Sequence, residues 1–225
     1  MDEFLAAVKK GDAAAVERML DADADLLAVR DQNGTSAVLL AHYYRQSDVA
    51  RALLERGPAL DIFEAATVGD AARVAELLRA DRSLANATAA DGFQPLGLAC
   101  FFKRREVVKV LLASGADPCV ASRGQSFTPL HSAVATDAGT ADAEIVRMLL
   151  DGGADPNAQN RADGTPLHTA AYTGDREILE LLLAYGADPS IANERDLTPL
   201  DLARERGQVE VAAVLHHAVT NRKRT

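Results

Sequence analysis

Apolar residues recur along the chain with a period close to 33. An apolar pair closes each predicted second helix, at Met19-Leu20, Leu53-Leu54, Leu77-Leu78, Leu111-Leu112, Leu149-Leu150, Leu182-Leu183 and Val214-Leu215. The second members of successive pairs are 34, 24, 34, 38, 33 and 32 residues apart. A Pro-Leu step repeats independently, beginning at Pro95, Pro129, Pro166 and Pro199. Two independent markers with nearly the same period indicate an array of stacked repeats.

The residues inside one period carry a family resemblance. Thr165-Pro166-Leu167-His168 is followed by Ala170-Ala171, then Gly174-Asp175, then Gly186-Ala187-Asp188-Pro189. This order resembles the ankyrin repeat almost position by position, and the segment that begins at Thr128 is nearly as close. The resemblance covers essentially the whole chain, and the Ala-rich composition is similar to that of bacterial members. It implies an all-α solenoid of about seven helix-turn-helix repeats over residues 1–219. The basic residues at 220–225 are expected to form a disordered tail.

The local chemistry of the pattern agrees with helix pairs. Proline suits the first turn of a helix because its φ is preset and its missing N–H is not needed there. The threonine before it can cap the helix, and glycine suits the helix end, where left-handed geometry is wanted. His131 and His168 occupy the repeat signature, and the resemblance implies that they tie neighbouring loops together by hydrogen bonds.

Two departures from the period predict local changes in the array. The 24-residue spacing before Leu78 indicates that the third repeat has lost its turn and part of its first helix, so we expect a seam near Leu60. The fifth repeat carries about four extra residues within Asp137 to Asp142, which we expect to form a mobile surface loop. The first repeat lacks the Thr-Pro-Leu-His start and is interpreted as an N-terminal cap.

Composition argues against several classes of function. The formal charge of -9 argues against broad nucleic-acid binding, which needs a basic face. Two scattered cysteines supply no zinc-ligand pair, and no glycine-rich phosphate loop or nucleophile elbow is present. We therefore expect no enzyme activity, no cofactor and no metal. No apolar stretch reaches the roughly 20 residues that cross a bilayer, and no secretory signal is evident, so we expect a soluble cytoplasmic protein.

Aromatic residues concentrate where the family binds its partners. In ankyrin arrays, the two residues before each inter-helix step face a concave groove. Those pairs here are Lys9-Lys10, Tyr43-Tyr44, Thr67-Val68, Phe101-Phe102, Ala135-Thr136, Tyr172-Thr173 and Glu205-Arg206. Five of these fourteen positions are aromatic, although the whole chain has only 4 Tyr and 6 Phe. Exposed aromatic clusters usually mark an interface, so we interpret these positions as a binding surface.

The predicted partner-binding set also includes turn-tip aromatics and the cations that follow the second doublet. Its members are Tyr43, Tyr44, Phe93, Phe101, Phe102, Lys103, Arg104, Arg105, Phe127, Tyr172 and Tyr185. Rings beside arginine suit an acidic or phosphorylated peptide. The alternatives are that the rings pack against neighbouring repeats and that the cations are simply solvated at a helix start.

The function that the sequence favours is a non-catalytic module that binds a partner protein through the concave groove. The alternative is a regulatory or inhibitory subunit of an enzyme complex or a toxin system. These two hypotheses differ in whether binding changes the activity of the partner.

Overall fold

The computed structural model describes residues 1–135 and 141–222, and these residues form an all-helical protein. The described part contains fourteen α-helices, two short 3-10 helices and no strand beyond an isolated bridge between Arg30 and Ser36. The α-helices are α1 (Asp2–Lys10), α2 (Ala13–Ala22), α3 (Ala37–Tyr43), α4 (Ser47–Glu55), α5 (Ile62–Val68), α6 (Ala71–Ala80), α7 (Pro95–Phe101), α8 (Arg105–Ala113), α9 (Pro129–Val134), α10 (Ala143–Asp151), α11 (Pro166–Thr173), α12 (Arg176–Ala184), α13 (Pro199–Glu205) and α14 (Val209–Arg222). The 3-10 helices span Ala24–Ala28 and Arg82–Asn86. The expected all-helical class is confirmed.

The helices pack as consecutive pairs, α1 with α2 through to α13 with α14, and each pair stacks on the next. A short helix pair cannot bury its apolar face alone, so the stacked pairs share their interior. One continuous core results, which begins at Phe4 and ends at Leu215. Alanines and leucines fill most of it, as expected from a chain with few aromatic residues.

Threonine and histidine together begin the most regular helix pairs. The Thr128 backbone N–H donates to Nδ1 of His131 at 3.3 Å, and the opposite ring nitrogen bonds the Gly164 carbonyl at 3.0 Å. His168 bonds Thr165 and the Leu197 carbonyl in the same way. Each histidine therefore caps its own helix and ties it to the next loop, which confirms the predicted structural role.

The connection between α4 and α5 differs from the others. Residues 56–61 lead directly into α5, where Asp61 and Glu64 form a capping box without a preceding turn. The turns that precede α3 and α7 therefore lie close together. A β-carbon built on Gly34 would lie 3.0 Å from that of Ala90. The second helices α2 and α4 pack together, as do α6 and α8, whereas α4 and α6 make much less contact. α5 has seven residues, as α3 and α7 have, so the expected loss of part of the first helix of the third repeat is wrong. The connection before α5 is the part that is shorter, and the core continues past it.

Two sequence segments reach beyond the described residues. Of the extra residues in the fifth repeat, those at 137–140 lie outside the described part of the chain. Asp142 caps α10, and the Ala141 backbone N–H donates to the Asp175 carboxylate at 3.0 Å, so the end of the segment is tied into the array. The expected disordered tail at 220–225 is wrong for its first three residues, because α14 continues to Arg222; residues 223–225 lie outside the described part.

Candidate partner-binding cleft

Three side chains that stand just before second helices reach back to the preceding helix pair. Each donates a hydrogen bond to a backbone carbonyl two residues before a glycine: Gln46 to Lys9 at 3.0 Å, Arg104 to Thr67 at 2.8 Å and Gln208 to Tyr172 at 3.5 Å. Those glycines, Gly11, Gly69 and Gly174, have positive φ, and a β-carbon there would press on the donor side chain. We call this arrangement the carbonyl clasp. It fixes the ends of α1, α5 and α11 against the following pair.

An aromatic cluster joins the ends of α3 and α7. The ring of Phe102 stacks on Tyr43 with a centroid distance of 6.0 Å and an interplanar angle of 24°. His42 and Phe101 each meet the same Phe102 ring edge-on, at 5.8 Å and 5.1 Å. Such offset and edge-on arrangements stabilise aromatic pairs beyond their buried area. The shortened connection before α5 is what allows the two doublets to touch across the intervening pair.

Hydrogen bonds orient the polar atoms of this cluster. The Tyr43 hydroxyl donates to the Asp91 carboxylate at 2.5 Å, and burial and that carboxylate raise the pKa of Tyr43. His42 Nδ1 bonds the Val38 carbonyl at 2.9 Å. Burial lowers the pKa of His42, and the Arg104 charge lowers it further. Both side chains are therefore held neutral at ordinary pH.

The cluster forms one wall of a cleft of about 790 Å³, which we call the aromatic cleft. The α3–α4 side contributes Ala50, Leu54 and Arg51, and the α7–α8 side contributes Phe101, Phe102 and Arg104, with other residues of the α3–α4 turn between them. The volume lies in the range of natural ligand pockets, but the cleft is open to solvent along one side. Its walls combine apolar surface with three arginines.

Three aromatic side chains of the predicted surface are exposed: Tyr44 at 50%, Phe101 at 37% and Tyr172 at 46%. Each stands at the end of the first helix of its pair. The Lys9 ammonium lies 5.8 Å from the centre of the Tyr44 ring, and the Arg206 guanidinium lies 4.2 Å from that of Tyr172. In both cases the cation comes from the neighbouring pair, so these positions align along one face of the stack.

The doublets use their two rings differently. In the first doublet Tyr43 is half-buried and Tyr44 is exposed, whereas in the second Phe101 is exposed and Phe102 is half-buried. The half-buried rings stack on each other, and each doublet leaves one ring in solvent. Both interpretations of the doublets, packing and exposure, therefore apply, each to one ring of the pair.

The remaining predicted residues have other surroundings. Arg105 forms ion pairs with Asp142 at 2.6 Å and Glu144 at 2.8 Å. The Tyr185 hydroxyl donates to Asp151 at 2.6 Å, near the end of a second helix. At the turn tips, Phe93 lies beside Gly97, and the Phe127 ring lies 5.9 Å from that of His131. Lys103 occupies the left-handed step of the α7–α8 turn, with φ 56. The aromatic cleft thus gathers Tyr43, Phe101, Phe102 and Arg104 from the predicted set.

The sequence analysis missed several residues of the site, among them His42, Arg51, Leu54 and Asp91. His42 precedes the first doublet and could have been found by extending that motif by one position. Asp91 stands 48 residues after Tyr43, and no local signal connects them. Their contact depends on the two flanking turns meeting across α5, which only the folded array shows.

The described residues, 1–135 and 141–222, contain no group of three or more His, Cys, Asp or Glu that could hold a metal ion. Within the same residues, no helix is long and apolar enough to cross a membrane. Cys100 is buried, which raises the pKa of its thiol, and Cys119 is exposed. The two cysteines are both free.

Stacked helix pairs joined by short turns, with aromatic residues along one face, define a helical repeat protein. A family model described as ankyrin repeats (3 copies) matches residues 62–160 and again residues 130–224. Together the two matches span more than half of the chain, so the chain belongs to the ankyrin repeat family. No curated protein matches the chain significantly. Ankyrin repeats generally act as protein-protein interaction modules and are typically non-catalytic.

Proposed function

We propose that this protein is a non-catalytic module that binds a partner protein through the concave face of its array. The observation that supports this function best is the exposure of Tyr44, Phe101 and Tyr172 at the ends of three first helices. They are three of the five large apolar side chains that the structure exposes in the described residues. Large rings held on rigid helices supply contact area at a low cost in entropy, which is typical of interface anchors.

We further propose that the array consists of seven repeats, each formed by one helix pair, with the third repeat shortened. The fourteen α-helices in the described residues and their consecutive pairing support this division. The direct entry of residues 56–61 into α5 supports the shortened third repeat. This shortening matters for binding, because it brings the doublets of the second and fourth repeats together at the aromatic cleft.

A capture experiment tests the function. The wild-type chain and a variant with Tyr44→Ser, Phe101→Ser and Tyr172→Ser are used to capture proteins from the native cell, followed by mass spectrometry. A matched control replaces Arg18, Arg79 and Glu177, which are exposed on second helices, by serine. We expect at least one protein that the wild type and the control retain and the aromatic variant loses. If all three chains capture the same set, the concave face is not the binding surface.

A further inference from the structure

Arg104 carries a charge that its structural role does not require. Its Nε makes the carbonyl clasp to Thr67, and the equivalent clasps are made by the neutral side chains of Gln46 and Gln208. The three donors share the same local backbone: Arg104 N–H bonds the Ala99 carbonyl just as the other two bond the carbonyls of Ala41 and Ala203. Because the neutral amides of Gln46 and Gln208 make the same bond, the carbonyl clasp does not need the positive charge of Arg104.

That charge is also poorly compensated within the described part of the chain. Arg104 is half-buried, and burial lowers its pKa without any contribution from a carboxylate. By contrast, Arg51 on the opposite wall pairs with Asp48 at 3.2 Å and with Glu55 at 3.6 Å. A partly desolvated cation gains more from an added carboxylate than an exposed, already paired one does.

The surroundings of Arg104 favour an acidic occupant. The aromatic cleft is lined by Arg45, Arg51 and Arg104, and its one acid, Glu55, lies against Arg51 and not against Arg104, in a chain whose formal charge is -9. The rings of Phe101 and Phe102 line the same cleft as Arg104 and give it an apolar wall. An acidic segment would therefore be attracted locally while most of the surface repels it.

We propose that the aromatic cleft receives an acidic segment of the partner protein, with an Asp or Glu carboxylate bound by Arg104. A neighbouring apolar side chain of the segment packs on the exposed face of Phe101. This inference rests on the proposed interaction function and specifies the chemistry that the site recognises. It also separates Arg104 from Arg105, whose charge is already satisfied by Asp142 and Glu144.

The test uses a random peptide library displayed on phage and selected on the full-length chain. The selected peptides are then synthesised and titrated against the wild type, Arg104→Gln, Arg104→Lys and Phe101→Ala. Arg104→Gln imitates the clasp of Gln46 and should melt close to the wild type. We expect the peptides to share Asp or Glu beside an apolar residue, and to bind Arg104→Gln about tenfold or more weakly. Arg104→Lys keeps the charge and should retain most of the affinity even if Arg104→Gln lowers the melting temperature.

A matched control completes the experiment. Arg176 is exposed at the start of α12 and pairs with Glu180, so Arg176→Gln should bind the peptides as the wild type does. If the peptides require Phe101 but contain no acidic residue, or if they bind Arg104→Gln as tightly as the wild type, the proposed acidic segment is wrong. The proposed interaction function is not contradicted by that result. If no selected peptide depends on Phe101, the proposed binding face itself fails.

Discussion

The hydroxyl of Tyr43 donates a hydrogen bond to the carboxylate of Asp91 at 2.5 Å, which links the end of α3 to the turn that precedes α7. The bond passes over α5, so it holds together two helix pairs that are not neighbours in the chain. The stacking of Tyr43 on Phe102 acts between the same two pairs. Both contacts bridge the α5–α6 pair, whereas α4 and α6 make little direct contact with each other.

Replacing Tyr43 by Phe should destabilise the protein by about 1–2 kcal/mol, because the bond to a charged and partly buried acceptor is lost while the ring stack remains. Urea unfolding measures the change in free energy. Tyr185→Phe is the matched control, since its bond to Asp151 is exposed and its loss should cost less. Equal costs for the two variants would show that the Tyr43 bond has no special role.

The sparse contact between α4 and α6 predicts that the N-terminal helices open first. Few outer contacts hold α1–α4 to the rest of the array, so their amides should exchange with solvent before those of α7–α12. Hydrogen exchange followed by mass spectrometry measures this order. Tyr43→Phe should speed exchange in α1–α4 more than in α11 and α12. Uniform protection along the chain would contradict the expected order.

The two rings of the second doublet should separate stability from binding. Phe102 is half-buried in the aromatic cluster, so Phe102→Ala should cost roughly 2 kcal/mol or more of stability. Phe101 is the exposed ring, so Phe101→Ala should change stability by less than about 1 kcal/mol. Loss of Phe101 should instead weaken partner binding by about 2 kcal/mol, as for an interface anchor. Thermal melting and a titration with the captured partner distinguish these effects, and a Phe101→Ala variant that melts far earlier would assign that ring to the core.

Stability should fall as the pH is lowered below about 6.5, the ordinary pKa of histidine. Burial lowers the pKa of His131 and His168 in the folded state, and the Thr128 and Thr165 backbone N–H groups need an unprotonated Nδ1 as acceptor. The unfolded chain therefore takes up protons first, and each histidine costs at most about 1.4 kcal/mol per pH unit until the folded-state pKa is passed.

Denaturant unfolding at a series of pH values between neutral and mildly acidic measures this loss. In the variant with His131→Gln and His168→Gln, the side-chain amide can still accept from the cap N–H, as in a capping box. That variant should keep more of its stability on acidification, with His42 responsible for part of the remaining dependence. An unchanged pH dependence in the double variant would contradict the assignment.

Glycine at the carbonyl clasp should be harder to replace than glycine at an open helix end. Gly11 has φ 80, and an added β-carbon would overlap the Gln46 side chain, whereas one on Gly115, with φ 91, meets nothing within 4 Å. Gly115→Ala should cost about 1 kcal/mol from the left-handed backbone alone. Gly11→Ala should cost about 1 kcal/mol more, because Gln46 must release the Lys9 carbonyl. Paired unfolding curves measure the difference, which should disappear in a Gln46→Ala background.

The sequence by itself determined the helix pairs and their family, because each repeat carries its own start and stop signals. The signals act within one repeat or on the next one, as at Pro166, His168 and Gly174. Their positions in the fold can therefore be predicted from the sequence. The same locality allowed the aromatic positions to be grouped as one predicted surface. The contacts of Lys9 with Tyr44 and of Arg206 with Tyr172 each join neighbouring helix pairs at such positions.

Only the tertiary structure decided which ring of each doublet is exposed and which cation has a partner. Tyr43 contacts Phe102 and Asp91 because the shortened connection brings two non-adjacent turns together. The repeat spacing in the sequence does not predict that these turns lie close to each other. Arg104 and Arg105 are adjacent in the chain, yet one enters the cleft and the other pairs with Asp142. The physical reason is that Arg104 is the N-cap of α8, with non-helical backbone angles, whereas Arg105 is the first helical residue, so the two side chains leave the chain in different directions.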